Sequence, residues 1–153
     1  LLYPNRRLQH AGVVLGFGGV AGHFGDGAPG ESQGWLKKNR IPHETSAVTG
    51  ACLMVERRKF EAIGGFDALN LPVDLNDIDL CLRLSGEGWR SICDGRTRVL
   101  HHESASRGKG TVRPQSVYKK ERDYFLEKWR HVIRDDPFFN PSLSLYDHTP
   151  KLG

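Results

Sequence analysis

Residues 47–108 narrow the folding options of this chain most, because four differently patterned segments follow one another with short breaks. The run Ala47-Val48-Thr49-Gly50-Ala51-Cys52-Leu53-Met54-Val55 is mostly apolar and predicts a buried strand over 47–55. Residues 56–63 suit a short helix, and Gly64-Gly65 supplies its left-handed stop. Asn76 or Asp77 is placed to cap a second helix that runs to about Gly86. Its apolar residues Ile78, Leu80, Cys81, Leu82 and Leu84 call for a sheet to pack on, and Asp79 with Arg83 reads as an i, i+4 surface pair. Strands are expected at 89–93 and 97–101, the second ending in His101-His102. The alternation of strand and helix predicts an α/β fold, with a carboxylate and an imidazole at the mouth of one layer.

The flanking segments are simpler. Residues 8–15 read as a strand, and the Gly-dominated stretch 16–34 as a loop. Trp35 opens a short helix that Pro42 ends. Residues 103–115 are polar and basic, so they read as a loop. Val117, Tyr118, Tyr124, Phe125, Trp129 and Val132 recur at helical spacing and predict a helix over 116–133. With 153 residues, 18 of them Gly and 8 Pro, the expectation is one loop-rich domain over 1–134 and an irregular tail over 135–153. The absence of an initiating Met suggests an excised segment.

Charge and cysteine usage exclude several classes. The net charge of +4 is spread over Arg6-Arg7, Lys37-Lys38, Arg57-Arg58-Lys59 and Lys119-Lys120. Such pairs suit a solvated surface or an attraction for anions, and no basic stripe interleaved with aromatics points to nucleic acid. Cys52, Cys81 and Cys93 sit in apolar runs without a CxxC, so buried reduced thiols in a reducing compartment are expected. No apolar run reaches the length of about 18 residues that a membrane span needs.

Each candidate for chemistry has a plainer reading beside it. Gly16-Phe17-Gly18-Gly19-Val20-Ala21-Gly22 follows a strand, but His23, Gly25, Asp26 and Pro29 forbid the helix that a dinucleotide fingerprint requires. A flexible flap beside a ligand is the better expectation. Asp77 is either a helix cap or a general base held at a helix N-terminus, where an acceptor hydroxyl can lose its proton to it. Adjacent strand residues face opposite sides, so at most one of His101 and His102 points into a site. Each is a packed or exposed histidine, or a single metal ligand among carboxylates. Ser104-Ala105-Ser106-Arg107-Gly108-Lys109-Gly110 is a solvated loop or an anion clamp, with Arg107 as fork and Lys109 as point charge.

The ordered motifs Thr49-Gly50-Ala51-Cys52-Leu53, Gly64-Gly65-Phe66-Asp67, Asn76-Asp77-Ile78-Asp79-Leu80-Cys81-Leu82-Arg83-Leu84 and His101-His102-Glu103-Ser104-Ala105-Ser106-Arg107-Gly108 resemble the C-terminal half of family 2 glycosyltransferases. The stretches Gln9-His10-Ala11-Gly12 and Ala21-Gly22-His23 add to it, and rhamnosyltransferase-like enzymes of bacterial cell-surface polysaccharide are the nearest in look. The resemblance implies the acceptor-side portion of a GT-A type fold, a mixed sheet with packed helices, whose nucleotide-binding half is absent. It implies an inverting transfer from a nucleotide-diphosphate sugar to a glycan or lipid-linked acceptor, and a divalent metal, Mn or Mg. It makes Asp77 the base, although Asn76 replaces the family's usual Glu. It makes His101, or else His102, a metal ligand. It puts Thr49, Gly50, Arg107 and Lys109 beside the donor, and Phe66, Asp67 and Asn76 beside the acceptor.

The family's Asp-x-Asp metal motif belongs upstream of the matched region, so the fragment alone is expected to bind donor poorly and turn over little. Its partners would be the missing N-terminal half of the same protein and, as an option, a second copy. The implied location is cytoplasmic, with peripheral contact to the inner membrane face as an option. Two other classes stay open: a noncatalytic carbohydrate-binding or scaffold module, and an unrelated metal-dependent hydrolase using Asp77 and His101.

Overall fold

The computed structural model describes residues 1–102, 115–147 and 151–152. The clamp candidates Arg107 and Lys109, with the loop around them, lie outside the described residues. Strand β1 (Val13–Leu15) pairs antiparallel with β2 (Ala21–His23), and β3 (Pro42–Thr45) pairs antiparallel with β4 (Ser91–Asp94). Helices α1 (Arg57–Ala62), α2 (Asn76–Gly86) and α3 (Gln115–Ile133) complete the regular structure. The class is mixed α/β, as expected. The single mixed sheet is not found: the described residues form two separate antiparallel pairs, and the parallel contact Leu2–Leu100 is an isolated bridge.

The helices follow their sequence signals. Helix α1 ends in a left-handed glycine pair, where Gly65 N–H reaches Phe60 O at 2.9 Å and Gly64 N–H reaches Glu61 O at 3.0 Å. Only a glycine fits at 65, because a Cβ there would stand 2.9 Å from the Phe60 ring. Helix α2 buries Ile78, Leu80, Cys81, Leu82 and Leu84 and stops before the left-handed Gly88. Its start departs from expectation. Leu75, not Asn76 or Asp77, occupies the cap position, and no side chain caps it.

Strand β1 lies between two clusters, because successive strand side chains face opposite sides. Val13 and Leu15 join Ala47, Leu71, Ile78, Cys81, Phe125 and Ile133. Val14 joins Leu2, Leu8, Phe17 and Phe24. Leu15 and Phe125 are wholly buried, each worth about 1.5–3 kcal/mol of transfer free energy. The irregular segment after α3 is pinned to this core. Asp136 Oδ2 accepts Leu15 N–H at 2.7 Å, and Phe139 meets Phe17 edge-on at 5.3 Å.

Several strand expectations fail for local reasons. The strand over 8–15 shrinks to Val13–Leu15, because Gly12 at φ 103° turns the chain so closely that a Cβ would stand 2.8 Å from Thr45 Oγ1. The strand over 47–55 is absent. Ala47 makes one bridge to Val13, and a 3-10 turn follows at Gly50–Cys52, held by Thr49 Oγ1 accepting Ala51 N–H at 3.3 Å. Cys52 and Met54 are therefore exposed, which corrects the view that all the cysteines are buried. The strand over 97–101 is only a bridge, with Leu2 N–H on Val99 O and His101 N–H on Leu2 O. The Gly-rich stretch after β1 is not loop throughout, since it makes a 3-10 turn at Phe17–Gly19 and then β2. No helix among the described residues is long and apolar enough to cross a membrane.

Candidate functional site

Asp77 stands in the first turn of α2, half-buried, with its carboxylate between two backbone donors. Oδ2 accepts Gly50 N–H at 2.6 Å, and Oδ1 accepts Ile78 N–H at 2.9 Å. A carboxylate offers about four lone-pair sites, so these bonds fix its orientation and still leave room for an incoming hydroxyl. Gly50 gives Asp77 its space: a Cβ at 50 would lie 3.3 Å from Asp77 Cβ. The missing side chain at 50 thus serves the carboxylate directly.

A hydrogen-bonded series runs from this turn toward the histidines. Thr49 N–H points at His10 Nε2 over 3.4 Å, a weak contact that makes Nε2 the acceptor. The buried His10 ring is held well below the usual imidazole range, first by desolvation and then by the charges of His23, the N-terminal amine and His43. Its neighbour Gln9 is 2% exposed, and its Oε1 lies 2.9 Å from His101 Nδ1. Gln9 O in turn meets His23 Nδ1 at 2.9 Å. His101 is half-buried and His102 exposed. With Nδ1 engaged on Gln9, His101 keeps Nε2 for another partner. Gln9 and His10 enter the sequence pattern only through the family resemblance, with no role of their own. Their signal was a polar pair shortly ahead of an apolar strand.

Among the described residues, no three His, Cys, Asp or Glu side chains converge on a point that could hold a metal. The described residues do not by themselves fit a divalent cation, and His101 offers one imidazole nitrogen at most. Thr49 is buried with its hydroxyl engaged in the turn. Asn76 is half-buried as the first residue of α2. Phe66 is exposed and meets Phe60 edge-on at 5.5 Å. Asp67 is tied into the fold. Oδ1 accepts Asn70 N–H at 3.1 Å and Asn70 Nδ2 at 3.0 Å, and Oδ2 accepts the Tyr124 hydroxyl at 2.8 Å.

Asp79 overturns its expected surface position. It is wholly buried. Oδ2 takes Arg83 Nε at 2.8 Å, while Oδ1 takes Lys128 Nζ at 2.7 Å and Trp129 Nε1 at 2.9 Å. Arg83 goes on to donate to Ile63 O at 2.7 Å and Gly65 O at 2.6 Å. One carboxylate thus joins the end of α1, the first turn of α2 and the C-terminal half of α3, and holds the helix that presents Asp77.

The chain is similar to much longer proteins. It is 42% identical over 146 residues to an uncharacterized protein, y4gI, of Sinorhizobium fredii, covering 95% of this chain and 16% of that protein. It is 37% identical over 150 residues to the O-antigen biosynthesis protein RfbC of Myxococcus xanthus, covering 95% and 11%. It is 29% identical over 140 residues to an N-acetylglucosaminyl-diphospho-decaprenol L-rhamnosyltransferase of Mycobacterium tuberculosis, covering 87% and 45%. The chain therefore spans less than half the length of each of these relatives. No family model matches it, and no solved structure does.

Proposed function

We propose that this chain is the acceptor-side portion of an inverting glycosyltransferase of family 2 and GT-A type, acting in cell-surface polysaccharide synthesis. The single observation that carries the reading is the Asp77 carboxylate, half-exposed at the head of α2 and gripped by Gly50 N–H. The names of two relatives, one for O-antigen biosynthesis and one for rhamnosyl transfer to a lipid diphosphate sugar, support it. The substrates are then a nucleotide-diphosphate sugar and a glycan or lipid-linked acceptor.

In this reading the acceptor oxygen bonds to the anomeric carbon as the bond from that carbon to the nucleoside diphosphate breaks. The acceptor's proton passes to Asp77, and the configuration inverts. Gly50 N–H and Ile78 N–H hold the carboxylate in place for that transfer. His101 Nε2 would offer a divalent cation one ligand, and no step above passes through such an ion.

The test is Asp77→Asn in the complete protein. Loss of a general base lowers transfer by roughly 100-fold or more, with donor affinity retained. A variant that transfers at near-normal rate rules Asp77 out. Binding of glycan without transfer by the unaltered protein would favour a noncatalytic carbohydrate-binding module.

A further inference from the structure

A cavity of about 450 Å³ opens between the Phe17–Gly19 turn, the residues leading into α2 and the first turns of α3. This volume lies within the range of small-molecule sites, roughly 300–1,000 Å³. Phe17, Val20, Leu75 and Tyr118 give it an apolar wall, and Asp74 and Arg122 add opposite charges. None of the roles assigned above uses it.

Three observations mark it as a built site. First, buried Glu121 clamps the lead-in of α2 to α3, its Oε2 accepting Asp74 N–H at 2.6 Å and Val73 N–H at 3.2 Å. Second, the wall residue Leu75 sits at φ 60°, a left-handed conformation that costs a non-glycine residue roughly 1–2 kcal/mol. Strain of this kind is retained at ligand sites where the surroundings over-determine it. Third, Arg122 is exposed and its guanidinium has no hydrogen-bond or ion-pair partner among the described residues. A free planar fork beside an apolar wall matches a phosphate carried on a sugar ring: the fork takes two phosphate oxygens, and the ring's C–H face lies on the wall.

The position agrees with a role in transfer. Leu75 precedes Asp77 by two residues, so their Cα atoms lie at most about 7.6 Å apart. We infer that this cavity is the acceptor subsite, taking a glycosyl phosphate with Arg122 on the phosphate. The inference rests on the glycosyltransferase reading for the word acceptor, while the cavity's affinity for a glycosyl phosphate stands apart from it.

Titration of the complete protein with glucose 1-phosphate, glucose and inorganic phosphate tests the site, read by chemical shifts of Val20, Leu75 and Tyr118. Glucose 1-phosphate is expected to saturate these shifts at least tenfold more tightly than either part alone. Arg122→Ala should weaken it at least tenfold, and Arg122→Lys less, with unaltered thermal unfolding since the side chain is exposed. Equal binding of inorganic phosphate, no saturable shift, or no effect of Arg122→Ala would each overturn the inference. In transfer assays Arg122→Ala should raise KM for the acceptor and leave KM for the donor unchanged. A rise in donor KM instead would make this a donor site and overturn the inference, with the transferase reading intact. An unaltered protein that transfers nothing would end that reading, with the titration still deciding the cavity.

Discussion

Replacing Asp79 by Ala removes the one carboxylate that faces both Arg83 Nε and Lys128 Nζ and accepts Trp129 Nε1–H. Breaking a buried ion pair from one side costs about 3–5 kcal/mol, because the remaining charge loses its nearest counter-ion; here Lys128 keeps only the longer contact to Asp67 Oδ2, 3.8 Å. Arg83 and Lys128 are 19% and 28% exposed, so water reaches both cations. The lower end, about 3 kcal/mol, is the appropriate figure. Against a typical total of about 5–15 kcal/mol this is a large share. With a urea slope of about 2 kcal/mol per molar, the midpoint should fall by about 1.5 M. Urea unfolding followed by tryptophan emission reads both the midpoint and the loss of the Trp129 contact. Asp94→Ala is the control: Asp94 makes a close pair with Arg96, 2.8 Å between Oδ2 and Nη2, yet on an exposed strand end, so the midpoint should stay where it is. A midpoint shift for Asp79→Ala no greater than the control's would refute the reasoning that buried charge at Asp79 joins the three helices.

Further expectations concern the site and its surroundings. Gly50→Ala puts a Cβ 3.3 Å from Asp77 Cβ and should lower transfer by the complete protein roughly tenfold through displacement of the carboxylate, with little change in unfolding temperature; an unaffected rate would remove Gly50 from the positioning of Asp77. His10 binds its proton less readily folded than unfolded, so the unfolded chain takes up more protons below the ordinary imidazole range. The contribution of His10 to stability should therefore be level above about pH 7 and fall by up to about 1.4 kcal/mol per pH unit below about pH 6.5, a slope that denaturant midpoints should show diminished in His10→Gln. An unchanged slope in that variant would assign the loss to other groups. Cys52 is exposed, Cys93 half-buried and Cys81 buried, and burial pushes the thiols of Cys81 and Cys93 up, so an aromatic disulfide reagent should label Cys52 fast, Cys93 more slowly and Cys81 only on unfolding. Fast labelling of Cys81 would contradict the packing of α2.

What could be read from the chain was what depends on near neighbours. The apolar spacing of Ile78, Leu80, Cys81, Leu82 and Leu84 gave α2, and that of Val117 through Val132 gave most of α3. Gly64-Gly65 marked the end of α1 because left-handed backbone suits glycine. The strand expected over 47–55 failed because an apolar run carries no record of which of its faces will be covered. Thr49 and Gly50 had the chemistry of a turn, and the fold used it.

The arrangement of the site depends on partners that no local rule reaches. Gly50 holds Asp77 from 27 positions away, Trp129 reaches Asp79 from 50, and Gln9 meets His101 from 92. Asp79 and Arg83 could be paired by their spacing, yet Lys128 and Trp129 of α3 close on the same carboxylate and Arg83 reaches the end of α1, which turned a surface pair into a junction of three helices. The sequence alone therefore determined which helices form and where left-handed glycines stop them, since those choices are settled by contacts within a turn. Only the tertiary structure decided which carboxylate faces outward and which is sealed inside, because that depends on how distant segments close over each other.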